Sequence, residues 1–223
     1  MQIKIDQLIR SKRKTIAIMI QRDGKLLVRA PLRVSIVHIQ HFINEKTDWI
    51  LAQQEKANAH LVPAHEYKDG EIFLFLGKKI PLELADPQKI PLILGSSFCL
   101  KRSEQEQARQ VFTRWYQEQA RRVIASRVEY FADQYNLSYS RIRLSSARTR
   151  WGSCSSKGTL SFTWRLVMAP QEVIDYVVIH ELVHLEIKNH SAAFWAKVQE
   201  YVPDYKKKRA WLKTNGHLLE LGK

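Results

Sequence analysis

Between Pro170 and Ile187 the chain reads PQEVIDYVVIHELVHLEI. At helical spacing Val173, Ile174, Val177, Val178, Ile179, Leu182, Val183, Leu185 and Ile187 leave it almost no polar face. A helix that is apolar nearly all round must be enclosed, so the rest of the fold has to be built around this segment. Within its most apolar stretch, from Val177 to Leu185, the polar side chains are His180, Glu181 and His184. Residues four apart on a helix are separated by about 40° of rotation, so the two imidazoles project from one face, one turn apart. Glu181 lies about 60° round from His184, close enough to touch a water held between the imidazoles and badly placed to be a ligand itself. Two imidazoles and a carboxylate in so dry a setting are costly unless something pairs them. His-Glu-x-x-His supplies the pairing when its histidines bind zinc and its Glu acts as general base.

A catalytic zinc ordinarily takes three protein ligands and keeps one position for water. Two residues are candidates for the third ligand. His190 stands six residues after His184, past Lys188 and Asn189, where the helix is expected to end, with Ser191 available to cap the next one. Glu200, followed by Asp204, is the alternative, but Pro203 breaks the helix that would carry that pair, which favours His190. The resulting spacing of four and six is that of the three-histidine metzincins, except that Ile187 stands where they carry a glycine. Cys154 is a conceivable fourth ligand that would close the site and make it structural.

Around this helix the pattern predicts an α+β protein. KTIAIMIQRDGKLLVRAP has two apolar runs flanking Asp23-Gly24, a hairpin signal. From Ser35 to about Lys56 apolar residues recur at three and four spacings, predicting one amphipathic helix. A second hairpin turns near Gly77. ADPQKIPLILGSS, rich in Pro, Gly and Ser, is expected to be a linker. It divides the chain into a β-rich subdomain over residues 1–90, with one helix, and a catalytic domain over 91–223. Ser103 with Glu106 forms a capping box that should open a long helix reaching about Tyr135. Strands are expected over residues 141–147 and 159–167, joined by the loop RTRWGSCSSKG, and short helices over 191–201 and 204–215. The strand over 159–167 is expected to edge the cleft.

The net charge of +14 attracts anions, whether nucleotide, acidic surface or a weak nucleic-acid contact, although the basic residues are scattered. Arg148, Arg150 and Arg165 are candidates for the cleft, where guanidinium forks suit a phosphate or an oxyanion. Pairing with acids that pins the loop is the plainer reading of the same three. Trp151, Trp164 and Trp195 are expected in the core, and Tyr205 is a candidate transition-state donor. The two cysteines, Cys99 and Cys154, form no Cys-x-x-Cys pair and fit reduced thiols in a cytoplasmic protein. The charged first residues and the lack of a long apolar run predict neither export nor a membrane span.

RTRWGSCSSKGTLSFTWRLVMAPQEVIDYVVIHELVHLEIKNHSAAFW resembles the core of the YgjP-like family of zincin-type metallopeptidases, or metal-dependent hydrolases. The likeness extends along nearly the whole chain. Arg-x-Arg-Trp-Gly-Ser-Cys, Trp-Arg-Leu and Asn-His-Ser-x-x-Phe-Trp surround the metal motif in the family's order. The resemblance implies a zincin-like catalytic domain with a long backing helix and a small sheet, zinc on His180, His184 and His190, and Glu181 as base. Two substrate classes follow, since a nucleoside triphosphate pyrophosphohydrolase activity is also attached to the group: a peptide, or a nucleotide. A third reading is a non-enzymatic, basic nucleic-acid-binding module with a structural zinc.

Overall fold

The Asp23-Gly24 turn forms as its sequence predicts, with Gly24 at φ 77°, and joins β2 (Ala17–Ile20) to β3 (Leu26–Pro31) as an antiparallel pair. β1 (Gln7–Ser11) lies parallel to β3 on its other side. The computed structural model describes residues 3–21, 23–59 and 61–222. The single helix expected from Ser35 is two, α1 (Ile36–Glu45) and α2 (Thr47–Ala59). The break has a local cause: the Lys46 amide turns back onto the Ile43 and Asn44 carbonyls, and the Thr47 hydroxyl donates to Asn44 O at 2.8 Å. Ile39, Ile43 and Ile50 still bury one stripe against Leu26, Val28 and Ala30.

The chain divides into two compact units, Met1–Pro63 and Ala64–Lys223. This corrects the expected boundary at residue 90. The second hairpin, β4 (Ile72–Phe75) and β5 (Lys78–Ala85), turns through Leu76 and Gly77, both at positive φ. It belongs to the larger unit, because the supposed linker is itself sheet: β6 (Leu92–Leu94) and β7 (Phe98–Lys101) complete the order β4-β5-β7-β6. Phe73, Leu82, Leu92 and Phe98 enter the same core as the metal-motif helix. Phe73 stacks on Phe112 at 4.3 Å between centroids, and the Tyr116 hydroxyl donates to Leu74 O at 2.6 Å.

α3 (Ala108–Gln134) is the long backing helix, but the capping box does not open it. Ser103 and Glu106 fall in a 3-10 turn over Arg102–Gln107, and α3 begins without a side-chain cap. Packing sets the start instead: Ala108, Phe112, Tyr116, Ala120, Ile124 and Val128 recur every fourth residue, all fully buried.

A three-stranded sheet follows, with β8 (Arg141–Ser145) parallel to β10 (Thr159–Thr163) and β9 (Gly152–Cys154) antiparallel to it on the other side. Two expectations change here. The loop between the predicted strands contains β9, and β9, not the 159–167 strand, is the edge strand that packs on the metal-motif helix. β10 stops at Thr163 because Trp164–Met168 is buried residue by residue and coils into a 3-10 turn. Its Val167 and Met168 carbonyls accept the amides of Leu76 and Gly77. A Cβ on Gly77 would lie 2.9 Å from Pro170 Cα, so this turn docks where the next helix starts.

That helix is α4 (Gln171–Val183), followed by α5 (Ala192–Tyr201) and α6 (Tyr205–Asn215). Arg127 of α3 grips Asp175 of α4 with two bonds of 2.6 and 3.0 Å. Among the described residues no helix is long and apolar enough to cross a membrane. A chain starting at residue 64 should therefore give a cooperative thermal transition by circular dichroism. One starting near residue 100, stripped of β4 to β7 and exposing Phe112 and Tyr116, should be insoluble or lack that transition.

Candidate metal centre

α4 ends earlier than its apolar pattern suggests. Its last helical residue is Val183, and His184 is the C-cap. The Leu185, Glu186 and Ile187 amides turn back onto Leu182 and Val183, folding the chain so that His190 returns beside the helix. No glycine is needed at 187, because Ile187 is not among the residues at positive φ. Its carbonyl has a separate use: it lies 2.9 Å from His184 Nδ1. A proton held there for Ile187 O leaves His184 Nε2 with its lone pair free, the form in which imidazole ligates. Ser191 then caps α5 by accepting from Phe194 N at 3.4 Å.

The three imidazoles converge. His190 Nε2 lies 3.2 Å from His184 Nε2 and 3.1 Å from His180 Nε2. The three ligand atoms all fall within 4.8 Å of one another, and they are the only such His, Cys, Asp or Glu group among the described residues. A tetrahedral centre with bonds of about 2.0–2.1 Å separates two ligand nitrogens by roughly 3.3 Å, so the spacing fits a bound ion. Glu200 is exposed and pairs with Lys197 at 3.4 Å, and neither it nor Cys154 joins the cluster.

Glu181 completes the arrangement. Its side chain is 4% exposed, and its Oε2 is buried without a hydrogen-bond partner. Burial pushes its carboxyl up to about 8, against the opposing charge of Arg150. Desolvation, helped by His184, His190 and Arg209, holds His180 down to about 3. His190 is lowered by desolvation and by the same neighbours, His184 and Arg209. Both histidines are thus neutral, and able to ligate, at physiological pH. The site contains three lone-pair nitrogens and a dry carboxyl oxygen that nothing in the protein pairs, which is the donor set a divalent cation with a bound water would satisfy.

The YgjP-like, metallopeptidase domain family matches residues 14–215. The chain belongs to that family. Among solved structures it is similar to the metallopeptidase zymogen of Pyrococcus abyssi abylysin, at 24% identity and a TM-score of 0.37, over 40% of this chain and 93% of that one. No curated protein matches it.

Within this YgjP-like domain the three candidate arginines separate. Arg165 is 7% exposed and points to Glu220 at 3.4 Å, with a further bond to Ser146 O at 3.1 Å. Arg148 approaches the same Glu220 oxygen at 3.8 Å. These two hold the C-terminal tail against the loop before β9, the pinning role weighed for them above. Arg150 remains at the surface, and its charge acts on Glu181.

Several neighbours of the imidazoles were not singled out by sequence. Phe194 is fully buried beneath all three, its ring 4.4 to 4.9 Å from theirs. Trp195, expected in the core, stacks on His190 at 5.6 Å and on Tyr205 at 5.3 Å. Tyr205 is thereby buried as a stacking partner. The Arg209 guanidinium lies 4.9 Å from the Trp195 ring. Gly152 matters for what it lacks: a Cβ there would fall 2.5 Å from Glu181 Oε1. The strings Asn-His-Ser-x-x-Phe-Trp and Trp-Gly-Ser-Cys contain Phe194, Trp195 and Gly152. No sequence signal points to Arg209 or Glu220, which depend on how α6 and the tail return.

Two measurements test this geometry. His190→Ala should reduce the metal retained after dialysis by an order of magnitude or more, and Glu200→Ala should leave it unchanged. In metal-free protein the folded Glu181 carboxyl keeps its proton up to about 8, whereas the unfolded one loses it near the ordinary carboxyl value of 4.5. Folded protein therefore binds the extra Glu181 proton between those values, which lowers stability with rising pH by up to roughly 1.4 kcal/mol per pH unit; below about 6.5 the lowered His180 acts in the opposite sense, so the fall shows between about 6.5 and 8. Glu181→Gln should flatten that slope, and chelated mutant should melt above chelated wild type at pH 8.

Proposed function

We propose that this chain is a zinc-dependent peptidase in which His180, His184 and His190 hold the ion and Glu181 is the general base. The observation that carries this reading is the convergence of three Nε2 atoms within 4.8 Å beside the unpartnered, buried Glu181 Oε2. Zinc in such a site supplies Lewis acidity for a substrate carbonyl and draws a water towards neutral pKa. Glu181 accepts the proton that the attacking water releases, and afterwards delivers it to the leaving nitrogen. Phe194 beneath the imidazoles and the apolar shell of α4 exclude bulk water, which strengthens each electrostatic contact.

The edge strand favours an amide substrate. β9 pairs with β10 through Trp151, Ser153 and Ser155, so the Gly152 and Cys154 backbone groups face the open side. An extended peptide can add itself there as a further strand, and Gly152, in contact with Glu181, brings that edge to the proton acceptor. The runner-up is hydrolysis of a nucleoside triphosphate, supported by the +14 charge and by Arg150 near Glu181. A structural zinc in a nucleic-acid-binding module has less support, because it needs a fourth ligand and gives Glu181 no task.

Zinc-loaded protein assayed against an unstructured polypeptide and a panel of nucleoside triphosphates distinguishes these readings, with Glu181→Gln as the blank. The expected outcome is peptide cleavage that falls by roughly 10²–10⁴ in the mutant with zinc content unchanged. Pyrophosphate release that vanishes in the mutant, without peptide cleavage, would replace the peptidase reading with the runner-up. Gly152→Ala should keep zinc and lower turnover, because its methyl displaces the Glu181 carboxylate.

A further inference from the structure

We infer that the outer face of the β8-β10-β9 sheet is a subsite for acidic side chains of an extended polypeptide. This makes acidic segments the preferred substrate class of the neighbouring centre, and it rests on the peptidase reading of that centre.

The face is one-sided in its chemistry. Ile142, Leu144, Leu160 and Phe162 pack into or against the core, while the alternate residues build a groove of about 660 Å³. Arg141, Arg143, Arg150 and Lys157 line it together with hydroxyls, among them Ser153 and Ser161; the lining contains no Asp, no Glu and no aromatic side chain. None of these four cations has an ion-pair partner among the described residues. Elsewhere in this unit some basic residues are paired, Arg121 and Arg122 with Glu118 and Arg127 with Asp175, and others, such as Arg114 and Lys206, have no such partner among the described residues; what sets this groove apart is four cations around one concavity with no acid in its lining. A solvated face ordinarily intersperses both signs, so Arg141, Arg143 and Lys157, with Arg150 whose field also reaches Glu181, make a groove suited to an anion from outside.

The spacing selects the kind of anion. Arg141 and Arg143 are alternate residues of one strand, roughly 7 Å apart along it, the repeat at which an extended chain presents side chains on one side. Arg143, Ser161 and Ser153 lie opposite one another across the three strands, a row that ends on the open edge of β9. A peptide paired along that edge turns every second side chain onto this face, where Arg150 and Lys157 flank β9 in sequence, while Arg141 and Arg143, about three strand spacings from the peptide, extend the positive field across the groove to carboxylates that guanidinium forks suit. A single-stranded nucleic acid would find charge but no ring on which to stack a base. The groove also adjoins the reacting centre, since Ser153 follows the Gly152 that touches Glu181.

Binding of two fluorescent peptides of equal length, one with Glu at alternate positions and one with Gln there, is measured on full-length Glu181→Gln protein, where cleavage does not intervene. The acidic peptide should bind roughly tenfold more tightly at low salt, and the difference should vanish near 1 M salt, where screening acts within about 3 Å. Arg141→Glu with Arg143→Glu should abolish the preference. Lys157→Glu, on a turn, gives a second reading should the strand variant fail to fold. Equal affinities, or a preference that survives both variants, would overturn the subsite. So would displacement of the acidic peptide by an oligonucleotide or nucleoside triphosphate that binds more tightly. Acidic-peptide binding as expected, with no cleavage by zinc-loaded wild type, would uphold the subsite while removing the peptidase reading.

Discussion

The dryness of one end of α4 governs the rest of this structure. His180, Glu181 and His184 sit in a helix whose other side chains are almost all buried, and polar atoms in such surroundings must be paired or made neutral. The protein does part of this itself. Ile187 O accepts a hydrogen bond from His184 Nδ1, desolvation keeps His180 uncharged and Glu181 protonated, and Trp195 stacks on His190. What it leaves unpaired is the set of three Nε2 lone pairs, Glu181 Oε2 and His180 Nδ1, and an ion bound among the imidazoles would relieve the first two.

Holding those atoms in register requires α4 to be fixed at both ends. At its start the Leu76-Gly77 turn hydrogen-bonds the preceding 3-10 segment and packs on Pro170. Along its length Asp175 is held by Arg127 and by Gln171 Nε2 at 3.0 Å. At its end the reversal through Ile187 delivers His190. The four-stranded sheet thus contributes to the site without touching it, which is why a division near residue 90 would cut through the core that positions the imidazoles.

Features that depend on neighbours close in sequence were readable from the chain. The helical spacing of His180, Glu181 and His184, the Ser191 cap and both hairpin turns are of that kind, and each forms. What misled were local signals overruled by packing. Ser103 and Glu106 make a plausible cap, yet fully buried Ala108 sets the start of α3. ADPQKIPLILGSS has a linker's composition, yet Leu92 within it and Phe98 directly after it enter the core. β9 is three residues long, too short for its alternation to register, and its place beside Glu181 depends on Gly152 having no side chain. Arg209 and Glu220 reach their positions only through the return of α6 and the tail, which no local pattern encodes.

The two exposed cations near the centre act on it through their fields. Arg209 lowers His180 and His190, and Arg150 lowers Glu181, so each favours the form of its neighbour that can ligate or accept a proton. Arg150 alone is not enough: burial still leaves the Glu181 carboxyl at about 8, mostly protonated at neutral pH and unable to serve as a base. An opposite charge within about 4–6 Å lowers a carboxyl by roughly 1–3 units, which would bring Glu181 to neutrality or below. A cation among the three imidazoles supplies that charge one residue away from the carboxylate. In the proposed mechanism, occupying the ligand set and freeing Glu181 to accept a proton would then be one electrostatic event, because the desolvation that keeps the imidazoles neutral also keeps Glu181 protonated until a cation arrives.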